Sequence, residues 1–156
     1  MAGRIDAHLK AKGIDLPNAS APAANYVPFT RTGNIVYVSG QVSQWNGERK
    51  FIGKLGAELG VSEGQQAARL CALNLVAHAR VAADGDLDRV RVLRLTGYVN
   101  SAPDFTNQPQ VVNGASDVMV EIFGEAGKHA RSAVGVASLP GGVAVEVEAI
   151  FEIVAG

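Results

Sequence analysis

The chain has 156 residues and a mass of 16.2 kDa, enough for one hydrophobic core and too little for two. Its 47% hydrophobic and 19% charged residues exclude a disordered chain, and a formal net charge of -1 supplies no global attraction to nucleic acid or to an anionic membrane. No apolar run approaches the roughly 20 residues of a membrane span, the N-terminus MAGRIDAHLKAKGIDLP lacks the apolar segment of a signal peptide, and the single Cys71 cannot close an internal disulfide, so a cytoplasmic location is expected.

In chain order, Gly3 to Ala11 reads as a short amphipathic helix with Ile5, Leu9 and His8 on its inner stripe, ended by Gly13. Leu16 to Pro22 reads as a linker, since each proline biases its predecessor towards extended geometry. Strands are expected at Tyr26 to Arg31 and Ile35 to Gln41, joined at Gly33-Asn34. Val42 to Gly60 is glycine-rich and polar around Trp45, with room for a short strand near Phe51-Ile52. Ser62 with Gln65 suggests a capping box for a helix to about Ala83, with Ala68, Cys71, Leu75 and Ala79 inward, closed by Asp84-Gly85-Asp86. Val90 to Val99 is the next strand. Asp104 to Glu125 is a second long helix with Val111, Ala115, Val118, Ile122 and Phe123 inward and Pro109 in its first turn.

Two Val-rich stretches, Ser132 to Leu139 and Val143 to Ile153, flank Pro140-Gly141-Gly142 and predict an antiparallel hairpin. With Leu139 paired to Gly142, Gly135 lies opposite Glu146, Ala133 opposite Glu148 and Arg131 opposite Ile150, all on one face. Val134, Val136, Val145, Val147, Ala149 and Phe151 form the other, inner face. An arginine beside carboxylates over small residues suits a pocket for a small anion. The same charges also suit the wet side of an antiparallel sheet.

The order β-β-α-β-α-β-β implies an α/β (α+β) mixed sheet with both long helices on one face, whose second face needs another cover. A partner subunit is the natural one. Cys71, set in an alanine- and leucine-rich stripe two turns from His78, reads as a packed thiol. The histidines have no ligand spacing for a metal, and the glycines form no nucleotide-binding loop, so neither a metal nor an organic cofactor is expected. Lys50, Lys54 and the series Arg89, Arg91, Arg94 are interleaved with acids and make no continuous track for phosphates. His129 either lines a cleft or is merely exposed. Asn113-Gly114 is a poor pair inside a helix; it is either a cleft asparagine with a glycine for close subunit packing, or an accident.

GNIVYVSGQ (Gly33 to Gln41), Asn113 in the helix after Asp104-Phe105-Thr106, and ARS followed by LPxxVxVEVEAI (Ala130 to Ile150) resemble the Rid family of YjgF-like proteins, over roughly Ala21 to Val154. The resemblance implies a chorismate-mutase-like fold in residues 21–156, preceded by an extension at residues 1–20, and a homotrimer with a small carboxylate-bearing ligand in each cleft between subunits. It also implies hydrolysis of enamine or imine intermediates such as 2-aminoacrylate to 2-oxo acids and ammonia; a carboxylate-binding trimer without turnover and an endoribonuclease are the alternatives. Carried over by position, the substrate-carboxylate arginine is Arg131, the water-positioning glutamate Glu146, the cleft tyrosine Tyr26 and the helix asparagine Asn113. Gly40 would let backbone approach the ligand. The chain departs from the family where Ala133 replaces a frequent cysteine, His129 a proline and Gly135 an acid, and in the insertion around Trp45 to Gly60. A divergent subgroup is expected.

Overall fold

The computed structural model describes residues 3–22 and 24–156; the first two residues of the expected N-terminal extension lie outside the described residues. Among the described residues, seven strands and three α-helices follow the order α1 (Arg4–Lys12), β1 (Phe29–Thr32), β2 (Ile35–Val42), β3 (Gln44–Trp45), β4 (Glu48–Arg49), α2 (Val61–Ala82), β5 (Val90–Asn100), α3 (Gln108–Phe123), β6 (Ala130–Val136) and β7 (Val145–Ile153). Five strands make one mixed sheet in the order β1-β2-β7-β5-β6, and β3-β4 stand apart as a small ribbon.

The helices form where the apolar spacing asks for them. Helix α2 buries Ala68, Cys71, Leu75 and Ala79 completely and packs over β2 and β7, while α3 buries Val111, Ala115 and Val118 and packs over β5 and β6. The start of α2 differs from expectation: Gly60 is its N-cap, and the Glu63 carboxylate accepts the Gly60 N–H at 2.9 Å, so the cap lies two residues before Ser62. Gly114 is where α2 and α3 touch, because a Cβ there would stand 2.1 Å from the Gln65 carbonyl oxygen. Its smallness therefore serves the packing of α2 on α3 within the chain. Helix α1 buries Ile5 and Leu9 and begins on Asp88, whose two carboxylate oxygens accept the N–H groups of Arg4 and Ile5 at 2.8 and 2.7 Å.

The expected hairpin does not exist. Strand β7 pairs antiparallel with β2 on one side and with β5 on the other, so both of its edges are occupied. Strand β6 instead runs parallel to β5 on the outside of the sheet, with Leu95 beside Arg131, Gly97 beside Ala133 and Val99 beside Gly135. Pro140-Gly141-Gly142 is a short 3-10 turn within the connection that carries the chain past β5. The faces change with the pairing: Leu95, Gly97 and Val99 point to the helices, so Arg131, Ala133 and Gly135 do too. Val134, expected in the core, is 44% exposed on the opposite face.

On β7, Val145, Val147, Ala149, Phe151 and Ile153 are buried beneath the helices, whereas Glu146, Glu148 and Ile150 alternate onto the face that no helix covers. Tyr37 from β2 is 48% exposed on that side. The segment from Ser43 to Gly60 is tied down at several points. Asn46-Gly47, both with positive φ, turn the β3-β4 ribbon; Ser43 and Lys50 exchange backbone and side-chain bonds across its base; Leu55 is fully buried and pairs with Asn100 and Ala102.

Candidate functional site

The residues expected to act together fall into two clusters on opposite faces of the sheet. The first gathers around Glu146. Between Val38 and Gln41 the pairing of β2 with β7 slips by one residue, a bulge that sets Ser39-Gly40 over the carboxylate side of β7. A Cβ on Gly40 would lie 2.1 Å from Glu146 Oε2, so the carboxylate occupies space that only glycine leaves. Together with Tyr26, Ser39, Gln41, Gln44, Arg49 and Pro140, these two residues line a cleft of about 380 Å3. Burial, and secondarily the nearby Glu148, pushes the Glu146 carboxyl above the ordinary carboxylate value. Glu148 is occupied differently: it accepts the Tyr98 hydroxyl at 2.7 Å, which in turn raises the tyrosine's own titration.

The second cluster surrounds Arg131 against α3. Its Nη1 donates to Asn113 Oδ1 at 2.8 Å and to Ser116 Oγ at 3.2 Å, and Nη2 donates to the Pro109 carbonyl at 3.3 Å. That arrangement leaves Nε–H and one Nη2–H for a ligand. It also fixes the Asn113 amide with its oxygen on the guanidinium and its N–H groups unspent. Behind Arg131, Ser116 Oγ stands 2.9 Å from His129 Nε2, and His129 Nδ1 is 2.6 Å from the Gly127 carbonyl. The carbonyl can only accept, so Nδ1 carries the proton, Nε2 accepts the serine O–H, and Ser116 accepts from Arg131. His129 is thus neither a cleft wall nor a loose surface residue; it anchors the serine that steadies Arg131. Ala133 is half-buried two residues along β6 on the same face as Arg131.

Arg131 and Asn113 are therefore together, Tyr26, Gly40 and Glu146 are together, and one chain does not unite the two sets. The antiparallel register that placed Arg131, Ala133, Glu146 and Glu148 on one face is corrected by the parallel pairing of β6 with β5. Three contributors escaped the sequence reading. Ser116 stands one helical turn after Asn113, a spacing that marks a shared face. Arg49 follows an Asn-Gly dipeptide, a strong hairpin signal that also places it opposite Gln44. Gln41, 6% exposed, follows directly from the bulge and had no local signal. Cys71 is buried in α2, its Sγ on the Val145 carbonyl and its thiol pushed well up by burial, which suits packing. Among the described residues no group of three or more His, Cys, Asp or Glu is placed to hold a metal ion, and no helix is long and apolar enough to cross a membrane.

Comparison with known proteins agrees with this architecture. The chain is 53% identical over 154 residues to the protein TCP17 of Trypanosoma cruzi, covering 97% of this chain and 96% of that one. Among solved structures it is similar to Atu1372 of Agrobacterium tumefaciens, described as of unknown function, with a TM-score of 0.89, 47% identity and coverage of 96% and 92% of the two chains. A structure described as a "putative endoribonuclease" from Shewanella oneidensis gives a TM-score of 0.91 at 35% identity, covering 97% and 100%. More distant is TdcF of E. coli with bound serine, at a TM-score of 0.59 and 27% identity over 90% and 94% of the two chains. With residues 6–147 matching it, the chain belongs to the family described as "YjgF/chorismate mutase-like, putative endoribonuclease".

Proposed function

We propose that this protein hydrolyses small carboxylate-bearing enamines and imines, such as 2-aminoacrylate, to 2-oxo acids and ammonia, in a site completed by a neighbouring copy of the chain in a homotrimer. The observation that carries the reading is the Glu146 carboxylate, seated on Gly40 in a partly buried cleft and raised in its titration by burial, which makes it a better proton acceptor than an ordinary carboxylate. Arg131 of a neighbouring copy supplies the anchor for the carboxylate next to the reacting carbon, a planar fork with two donors free. Water gives a proton to Glu146 as its oxygen bonds to the C=N carbon, and Glu146 passes that proton to the nitrogen, giving a neutral amino alcohol. As the C–N bond breaks, the hydroxyl proton moves through Glu146 to the nitrogen, so the 2-oxo acid and ammonia leave and Glu146 is again ionised.

Two features of the surface favour assembly. The face bearing Tyr37, Val134 and Ile150 has no helical cover, and β6 ends the sheet with an unpaired edge of small residues. A second reading, a trimer that holds a small acid without turnover, draws support from the serine bound by the distant relative TdcF. Cleavage of RNA, which the family description names, finds little support in the charges, since Arg91 pairs with Glu152, Lys50 with Glu48 and Arg69 with Glu121.

The test is ammonia release from enzymatically generated imino acids, together with sedimentation of the same preparation. Acceleration over the spontaneous rate by a trimer is expected. No acceleration with tight binding of a small acid would favour the binder, and a stable monomer at micromolar concentration would overturn the shared site.

A further inference from the structure

The Glu146 cleft contains a cation that the reaction just proposed does not use. Arg49 sits on β4, directly across from Gln44, and both side chains line the cleft beside Glu146. Its sequence neighbours Glu48 and Lys50 alternate to the other side of the ribbon and pair with each other at 3.7 Å, which leaves Arg49 without a carboxylate at ion-pair distance among the described residues. The guanidinium lies against Gly141, where a Cβ would stand 2.0 Å from Nη1 and 2.7 Å from Cζ, so the glycine of the turn before β7 is the seat of the arginine of the ribbon. Gly141 has φ +66°, a second reason for glycine there.

We propose that Arg49 binds a second acidic group of the ligand, so that the substrate is a small molecule with two carboxylates, a 2-imino dicarboxylic acid. This rests on the hydrolase reading and names its substrate class. Arg131 takes the carboxylate next to the reacting carbon, and Arg49, on the Glu146 side, takes the one at the far end. Space agrees: about 380 Å3 holds on the order of a dozen waters at about 30 Å3 each, and a three-carbon imino acid has about half that many non-hydrogen atoms. Charge agrees as well. Among the described residues no carboxylate, Glu146 included, stands at ion-pair distance from Arg49, so its charge is open to a ligand anion.

The experiment uses the full chain and product-like probes: pyruvate with one carboxylate, oxaloacetate and 2-oxoglutarate with two, titrated calorimetrically into wild type, Arg49→Gln and Arg49→Lys, alongside ammonia release from the matching imines. Wild type is expected to favour a dicarboxylate over pyruvate by about tenfold or more, the strength of a charge-assisted pair. In Arg49→Gln that ratio collapses towards one, and Arg49→Lys falls between. Arg49 is exposed on a two-stranded ribbon, so an unchanged melting temperature will separate lost recognition from lost fold. Equal affinity of wild type for all three probes, or equal weakening of all three by Arg49→Gln, would overturn the two-acid substrate while leaving the hydrolase reading intact. Absence of both binding and ammonia release in wild type would overturn both.

Discussion

Arg131 and Glu146 are held by opposite means. The arginine is fixed by polar partners on three sides, Asn113, Ser116 and the Pro109 carbonyl, with His129 behind the serine. The glutamate is placed by backbone: a bulge in β2, the missing Cβ of Gly40 and the shielding of its surroundings. A group tied by hydrogen bonds keeps its charge and its direction, which suits an anchor. A group that is shielded and next to a second carboxylate is poised to take up and release a proton, which suits chemistry. Substitutions on the two sides should therefore fail in different ways.

The largest effect belongs to Glu146→Gln, which is expected to lower turnover by about 10²–10⁴ while ligand binding persists. In wild type the acid limb of the rate profile should lie above the ordinary carboxylate range, because Glu146 must be ionised to accept a proton and its folded-state titration is raised. Stability moves the other way. A carboxyl that holds its proton more tightly when folded contributes most at low pH, and the contribution is lost as pH rises through the folded value. Glu146→Gln should thus melt no lower than wild type at neutral pH, with any gain gone in acid; calorimetry across pH checks it.

Gly40→Ala attacks the same side through geometry. The new Cβ would displace the carboxylate, and a misplacement on the order of 1 Å costs about 10² in rate. Paired kinetics of this variant and Glu146→Gln sharpen the comparison: combined in one chain, their losses should not add, since both remove the same group.

On the anchoring side, Arg131→Lys keeps the charge but cannot hold Asn113, Ser116 and a carboxylate at once. Ligand affinity should fall about ten- to a hundredfold, the value of one or two charge-assisted bonds, with the assembly and melting temperature little changed. A variant that instead unfolds would make Arg131 a structural residue. Ser116→Ala should give the smallest change, about fivefold in affinity from a hydrogen bond worth about 1 kcal/mol, with turnover at saturation preserved. A loss of turnover equal to that of Glu146→Gln would break the distinction between anchor and reacting group.

Much of this was readable along the chain, and the failures share a cause. The spacing of Ala68, Cys71, Leu75 and Ala79, or of Val111, Ala115 and Val118, reports a helix face because neighbours on that face are set by local geometry. Likeness to a family named Arg131, Asn113, Tyr26, Gly40 and Glu146 as residues of one cleft, whereas within the chain Arg131 meets Asn113 in one place and Tyr26 and Gly40 meet Glu146 in another. The hairpin at Pro140-Gly141-Gly142 misled, because two Val-rich strands and a turn signal say that strands exist and nothing about which edges remain free. Strand β7 is taken on both sides by β2 and β5, strands that lie far away in sequence, so β6 must add outside β5 and in parallel. That one choice moves Arg131 to the opposite face from Glu146.

By itself, then, the sequence determined the helices, the apolar alternation of β7 and the interleaving of basic with acidic residues, since each depends on residue type and short-range periodicity. The tertiary structure alone decided the strand order, the partition of the site into two clusters, the seat of Arg49 on Gly141 and the fit of Glu146 over Gly40. Those depend on edges and surfaces brought together from distant parts of the chain, and no local pattern encodes which of them will meet.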